Sequence, residues 1–142
     1  MGTASFGVRE GLPSGVTVLE RGWLSSNNIV VVGKSSSAVV DSGYSTHSAQ
    51  TTRLVSMALG GRPLDLLINT HLHSDHITDL NDVITTHWVL SMQPATLRVY
   101  GPPGLRGVVD AILESLRPDI GYRLAHHDDL TWEPMVDVTE IE

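Results

Sequence analysis

Cysteine is absent, so the sequence can hold no disulfide framework, no thiolate-ligated zinc finger and no thiolate nucleophile. Any metal must sit on His and carboxylates. Positive charge is scarce: nine Lys and Arg stand against sixteen Asp and Glu, a formal net charge of −7, and the basic residues are scattered singly. Affinity for a polyanion comes largely from Lys and Arg displacing counterions, so this balance argues against long nucleic acid and for a small-molecule substrate. Long apolar runs are missing too. None approaches the roughly 20 residues of a membrane span, and residues 1–10 contain neither the basic nor the apolar stretch of a secretory leader. The expectation is a protein without a membrane segment, working in the cytoplasm.

What is present suffices for a core. Apolar residues make up 41% and charged residues 18% of 142, and the mean hydropathy is +0.03, outside the high-charge regime of disorder. Length alone favours one domain over residues 1–142.

The apolar pattern changes period along the chain. Short β-branched runs at residues 16–20, 29–32 and 38–40, separated by Asn27-Asn28 and Gly33-Lys34, predict consecutive antiparallel strands. From Thr46 onward Thr51, Leu54, Val55 and Ala58 fall on one helical face, with Ser45 or Thr46 as a cap and Gly60-Gly61 as a stop. Residues 64–69 are a continuous apolar run of strand length, the pattern of a strand covered on both faces. A second amphipathic helix carries Ile77, Leu80, Val83, Ile84 and Trp88, and residues 97–100 read as another strand. After the Pro102-Pro103-Gly104 turn, Leu105, Val108, Val109, Ile112, Leu113 and Leu116 form a helical stripe that Pro118 is expected to stop. Residues 122–124 and 132–138 read as weak strands. The order implies a mixed sheet with about three helices against it, an α+β or α/β arrangement.

Directly after the apolar run at 64–69 comes His71-Leu72-His73-Ser74-Asp75-His76. In extended chain, side chains two apart share a face, so His71 and His73 point the same way. Asp75 and His76 then lie at the turn into the next helix, where a change of direction can swing both toward the same cleft. Imidazole with carboxylate and no thiolate suits zinc, one or two ions, with manganese or iron as other occupants. A metal held there lowers the pKa of a bound water to about 7, and Asp75 can hold or deprotonate that water. Four ionisable groups of ligand type within six positions are costly to pack together without a metal, which weighs against a solvated loop. His47 and His87 read as helix-face residues, and Trp23, Trp88 and Trp132 as core or interface anchors.

This segment resembles the H-x-H-x-D-H signature of the metallo-β-lactamase fold hydrolases, and Val39-Val40-Asp41-Ser42-Gly43 on an early strand is similar to the first half of their αββα sandwich. The resemblance implies that His71 and His73 bind a first metal, that Asp75 and His76 bind a second, and that Asp41 lies behind the ligands and orients one of the histidines. Up to His76 the chain looks like the esterase, thioesterase and lactamase-like members. From His76 on, Ile77-Thr78-Asp79-Leu80 and Tyr100-Gly101-Pro102-Pro103-Gly104 look like the tRNase Z and phosphodiesterase-like members.

In that family a further His, a metal-bridging Asp and a last His come from a second half. Only His126, His127, Asp128 and Asp129 are available here to replace them, and as a polar turn they are also fully explained. The expectation is therefore half of a metallo-β-lactamase-type sandwich, a single truncated domain that covers its bare sheet face by forming a homodimer. Its function would be metal-dependent hydrolysis of phosphodiesters or related phosphoesters. Carboxylic esters, lactones, thioesters or β-lactams are the alternative substrates, and a non-catalytic metal-binding fragment is the alternative from another class.

Overall fold

The computed structural model of the chain describes residues 6–7, 11–20, 27–43 and 47–142. Trp23 and the expected caps Ser45 and Thr46 lie outside these. Among the described residues the chain forms β1 (Phe6–Gly7), β2 (Val16–Leu19), β3 (Asn28–Val32), β4 (Ser37–Val40), α1 (Ser48–Leu59), β5 (Leu66–Ile68), α2 (Ser74–Ile77), α3 (Leu80–Leu90), β6 (Thr96–Gly101), α4 (Leu105–His126) and β7 (Met135–Glu140). The strands make one mixed sheet in sequence order, antiparallel from β1 to β4 and parallel from β4 to β7. The expected meander and mixed sheet are both there. Gly60, in the left-handed region at φ 60°, ends α1 with its N–H on the Ser56 and Met57 carbonyls.

Parallel neighbours need crossovers, and crossovers are right-handed, so adding β5, β6 and β7 in one direction puts α1, α3 and α4 on the same face of the sheet. Burial follows this rule. Val30, Val39, Leu67, Leu97, Val99 and Val138 are each 4% exposed or less, whereas their strand neighbours Val40, Leu66, Ile68 and Tyr100 are half-buried and Val31 is exposed. One face of the sheet is a dry core and the other is open, the layering of half a sandwich. The run at 64–69 is thus covered on one face only. Its ladder is shortened to Leu66–Ile68, because Asp65 turns its carboxylate to the N–H of Ser37 (2.8 Å) at the start of β4.

Pro118 does not stop the last helix. It removes one backbone donor and costs about 3 kcal/mol in a helix interior, yet α4 continues for two more turns to His126. The reason is packing. Beyond the proline, Ile120 and Leu124 join Trp88, Leu130 and Trp132 in a second apolar cluster, and the indole N–H of Trp88 donates to the Trp132 carbonyl (2.7 Å). Burying groups of this size offsets the lost hydrogen bond. Residues 122–124, read from sequence as a strand, are therefore helical, and the last strand begins only at Met135.

Asp41 follows β4, residues 69–73, which lead into α2, follow β5, and residues 102–104 follow β6. All three loops leave the carboxyl ends of parallel strands, the edge at which open sheets of this kind gather their ligand-binding residues.

Candidate metal centre

The backbone brings the expected histidines together. His71 and Leu72 continue in non-regular chain beyond β5, and His73, extended at φ −73° and ψ 148°, is the N-cap of the one-turn helix α2. Leu72 turns away from the site and packs on the core. The ring centroids of His71 and His73 are 4.6 Å apart, edge to face, and those of His71 and His76 are 3.7 Å apart. His71 is thus the middle of a three-imidazole cluster.

His76 is held most firmly. Its carbonyl accepts from the Ser42 N–H (2.9 Å), the Ser42 hydroxyl (2.7 Å) and the Asn69 amide (3.1 Å), which pin its backbone between β4 and β5. Its ring Nδ1 lies 2.8 Å from Asp41 Oδ2 and its Nε2 lies 3.4 Å from Asp75 Oδ2. Asp41 is itself an unusual residue, with φ 61° in the left-handed region. Three contacts hold it there: its N–H donates to the Ile68 carbonyl (2.8 Å), its carbonyl accepts from buried Asn28 (2.7 Å), and its Oδ1 accepts from the Thr70 N–H (2.8 Å). Asp41 therefore stands on the Nδ1 side of the His76 ring.

The donor chemistry fits a borderline cation. With its Nδ1 2.8 Å from Asp41, the His76 ring turns its Nε2 toward the Asp75 carboxylate at 3.4 Å, a nitrogen and an oxygen of the types such a cation takes. Among the described residues, however, no group of three or more His, Asp or Glu side chains already converges on one point that could hold a metal ion. The site is an imidazole cluster with one facing carboxylate rather than a closed shell.

Sequence reasoning missed Thr70, Asn28, Ser42 and Asn69. Thr70 and Asn69 adjoin the histidine segment and Ser42 adjoins Asp41, so adjacency was the available signal. Asn28 lay in what read as a turn between strands, and nothing local marked it.

The replacement ligands do not reach the site. Helix α4 starts at Leu105, beside the carboxyl ends of the strands, and its 22 residues span about 33 Å at 1.5 Å each before reaching His126. His126, His127, Asp128 and Asp129 consequently lie at the far end of the helix, on the way back to the start of β7. There His126 Nδ1 meets the Tyr122 carbonyl (2.7 Å), and His127 lies 3.9 Å from Asp129 in open solvent. They are the polar turn, not a third ligand segment.

Residues 21–140 match the family described as the metallo-beta-lactamase superfamily. This chain belongs to that superfamily. Its curated relatives include ribonuclease Z of Mycolicibacterium gilvum (strain PYR-GCK), 47% identical over 91 residues, which are 63% of this chain and 32% of the relative. Ribonuclease Z of Mycobacterium avium (strain 104) is 49% identical over 90 residues, 62% of this chain and 32% of the relative. The chain thus spans about a third of the length of these relatives. Among solved structures, the short form of human tRNase Z superposes with a TM-score of 0.53 at 23% identity, covering 81% of this chain and 38% of that one. A diphosphatase from the PhnP family does so at 0.52 and 15%, covering 81% and 37%. At these identities the two structures speak for the superfamily fold.

The relatives overturn one expectation. A small-molecule substrate and the exclusion of long nucleic acid followed from the net charge, yet the similar proteins are named as ribonucleases. Net charge summed over 142 residues is a poor guide to a local contact, because a substrate meets the field of one edge of the molecule rather than its average. No described helix is long and apolar enough to cross a bilayer.

His87, outside the cluster, behaves as a packed helix residue of α3. Burial lowers its pKa below the ordinary 6.5, and the Asp65 carboxylate partly opposes that shift. A depressed histidine pKa means the unfolded chain takes up the proton first. The stability that neutral His87 gives the fold is present above pH 6.5 and is lost as pH falls through 6.5 toward the folded value. His87→Gln should therefore show a shallower decline of thermal midpoint between pH 7.5 and 5.5 than the wild type. Parallel declines in the two proteins would refute this.

Proposed function

We propose that this chain carries the imidazole side of a zinc-dependent hydrolase centre that cleaves phosphodiester bonds of RNA. The observation behind this reading is the clustering of His71, His73 and His76 at the carboxyl ends of β4 and β5, with Asp41 and Asp75 on either side of the His76 ring. The ribonuclease Z relatives support the choice of a phosphodiester over a carboxylic ester.

His71, His73, Asp75 and His76 would hold the metal, with zinc favoured by the nitrogen and oxygen donors and manganese or iron as substitutes. Bound there, the ion supplies Lewis acidity at a phosphoryl oxygen and a water of lowered pKa. The protein's own part is positional. Asp41 keeps the His76 proton on Nδ1 and so presents Nε2, and the clamp on the His76 carbonyl prevents the ring from swinging away. Asp75, partly exposed beside that Nε2, orients the attacking water and takes up its proton.

The test compares the zinc-loaded chain on bis(p-nitrophenyl) phosphate, a short RNA oligonucleotide and p-nitrophenyl acetate. Phosphodiester cleavage that a chelator abolishes and zinc restores is the expected result. Hydrolysis of the acetate alone would transfer the reading to esters, lactones, thioesters or β-lactams. Stoichiometric zinc without any hydrolysis would leave a metal-binding domain and refute the enzyme.

A further inference from the structure

One hydroxyl outside the signature touches three side chains of the site, those of Asp41, His71 and His76. Thr70 Oγ1 lies 3.1 and 3.0 Å from the two oxygens of Asp41, 3.0 Å from His71 Nδ1 and 3.3 Å from His76 Nδ1. A threonine hydroxyl has one proton and two lone pairs, whereas an ionised carboxylate only accepts. The Thr70 proton therefore goes to Asp41, and Oγ1 is left as an acceptor toward the imidazoles. A ring nitrogen that faces an acceptor must carry the ring's proton. His71 is then held as the Nδ1–H tautomer by Thr70, while His76 is held as the same tautomer by Asp41 Oδ2 at 2.8 Å.

We infer that Thr70 is a positioning residue that sets the tautomer and the aim of His71. It does so by relaying the acceptor character of the Asp41 carboxylate to a ring that this carboxylate is not shown to contact. One buried aspartate thus orders two imidazoles, His76 directly and His71 through a hydroxyl. Both present Nε2 lone pairs toward the open side of the cluster. The Thr70 backbone is part of the device, because its N–H donates to Asp41 Oδ1 (2.8 Å) and fixes where the hydroxyl can be. A ligand histidine usually gives its second ring N–H to a carboxylate, carbonyl or water, and removing that partner typically lowers metal affinity 10–100-fold. Here the partner of His71 is a side-chain hydroxyl that has no second proton to offer. The inference rests on the metal-centre reading for its function, but its tautomer statement stands on the metal-free protein.

The experiment records long-range 1H–15N correlations of the histidine rings in the metal-free chain at pH 8, for wild type, Thr70→Val and Thr70→Ser. Valine keeps the shape of threonine without the hydroxyl, and serine keeps the hydroxyl. The wild type should show His71 and His76 both as Nδ1–H. In Thr70→Val, His71 should shift toward the Nε2–H form that free histidine side chains favour, with His76 unchanged, and Thr70→Ser should restore the wild-type pattern. Zinc affinity should fall 10–100-fold in Thr70→Val and recover in Thr70→Ser. His71 as Nε2–H in the wild type, or an unchanged His71 in Thr70→Val, would overturn the inference. If wild type and variants all show the expected tautomers but none binds zinc, the metal-centre reading fails while the role of Thr70 in ordering His71 holds. Should Thr70→Val not fold, judged by its amide spectrum, the Thr70→Ser and wild-type tautomers decide alone, because a His71 without Nδ1–H in either refutes the relay.

Discussion

His71→Ala and His73→Ala are each expected to strip the chain of stoichiometric zinc and, with it, of phosphodiester hydrolysis. The magnitude follows from sharing out a binding free energy. Four-ligand zinc sites in small domains bind with about 10–16 kcal/mol, so one ligand stands for about 3 kcal/mol, a loss of about a hundredfold or more in affinity. The fold should survive both changes. Neither histidine is part of the buried core, and the residue that anchors the segment, Leu72, is untouched. Elemental analysis after dialysis against a weak chelator gives the measurement, with far-UV circular dichroism as the control for folding. Full zinc retention in both variants would refute the assignment of the pair, whatever the activity.

That His71 and His73 could be placed side by side from the sequence reflects how local their geometry is. Alternation in extended chain puts His71 and His73 on one side without help from the rest of the molecule. The meander at β2 to β4 and the Gly60 stop of α1 are local in the same sense, set by β-branched runs and by one residue that tolerates positive φ. Where the decisive contact is distant, the sequence was silent. Thr70 acquires its role only because the parallel pairing of β4 with β5 sets Asp41 beside it, and no spacing rule links positions 29 residues apart. Pro118 is the converse case. The local rule for a helix interior was right about cost, and the packing of Ile120 and Leu124 on Trp88 and Trp132 outweighed it. The replacement ligands failed for the same reason. A helix ending at Pro118 would have let the chain turn back early, whereas a 22-residue helix carries His126 to the opposite end of the sheet.

Asp75→Asn is expected to retain the fold and lower phosphodiester hydrolysis by at least about a hundredfold, the scale of losing a general base or a ligand carboxylate. The substitution preserves the size of the side chain and an oxygen acceptor but removes the negative charge and the ability to take up a proton. Asp75 sits at the first turn of α2 with its side chain 35% exposed, outside the apolar core. Its Oδ2 is 3.4 Å from His76 Nε2, near enough that the carboxylate and the imidazole address the same small volume. If the carboxylate is chiefly a proton acceptor, zinc content should stay close to stoichiometric while kcat falls and KM changes little. If it is chiefly a ligand, zinc content should fall together with kcat, and added zinc should recover part of the rate. Steady-state kinetics on bis(p-nitrophenyl) phosphate with parallel metal analysis separates these two roles. Hydrolysis within about threefold of wild type in Asp75→Asn would exclude both.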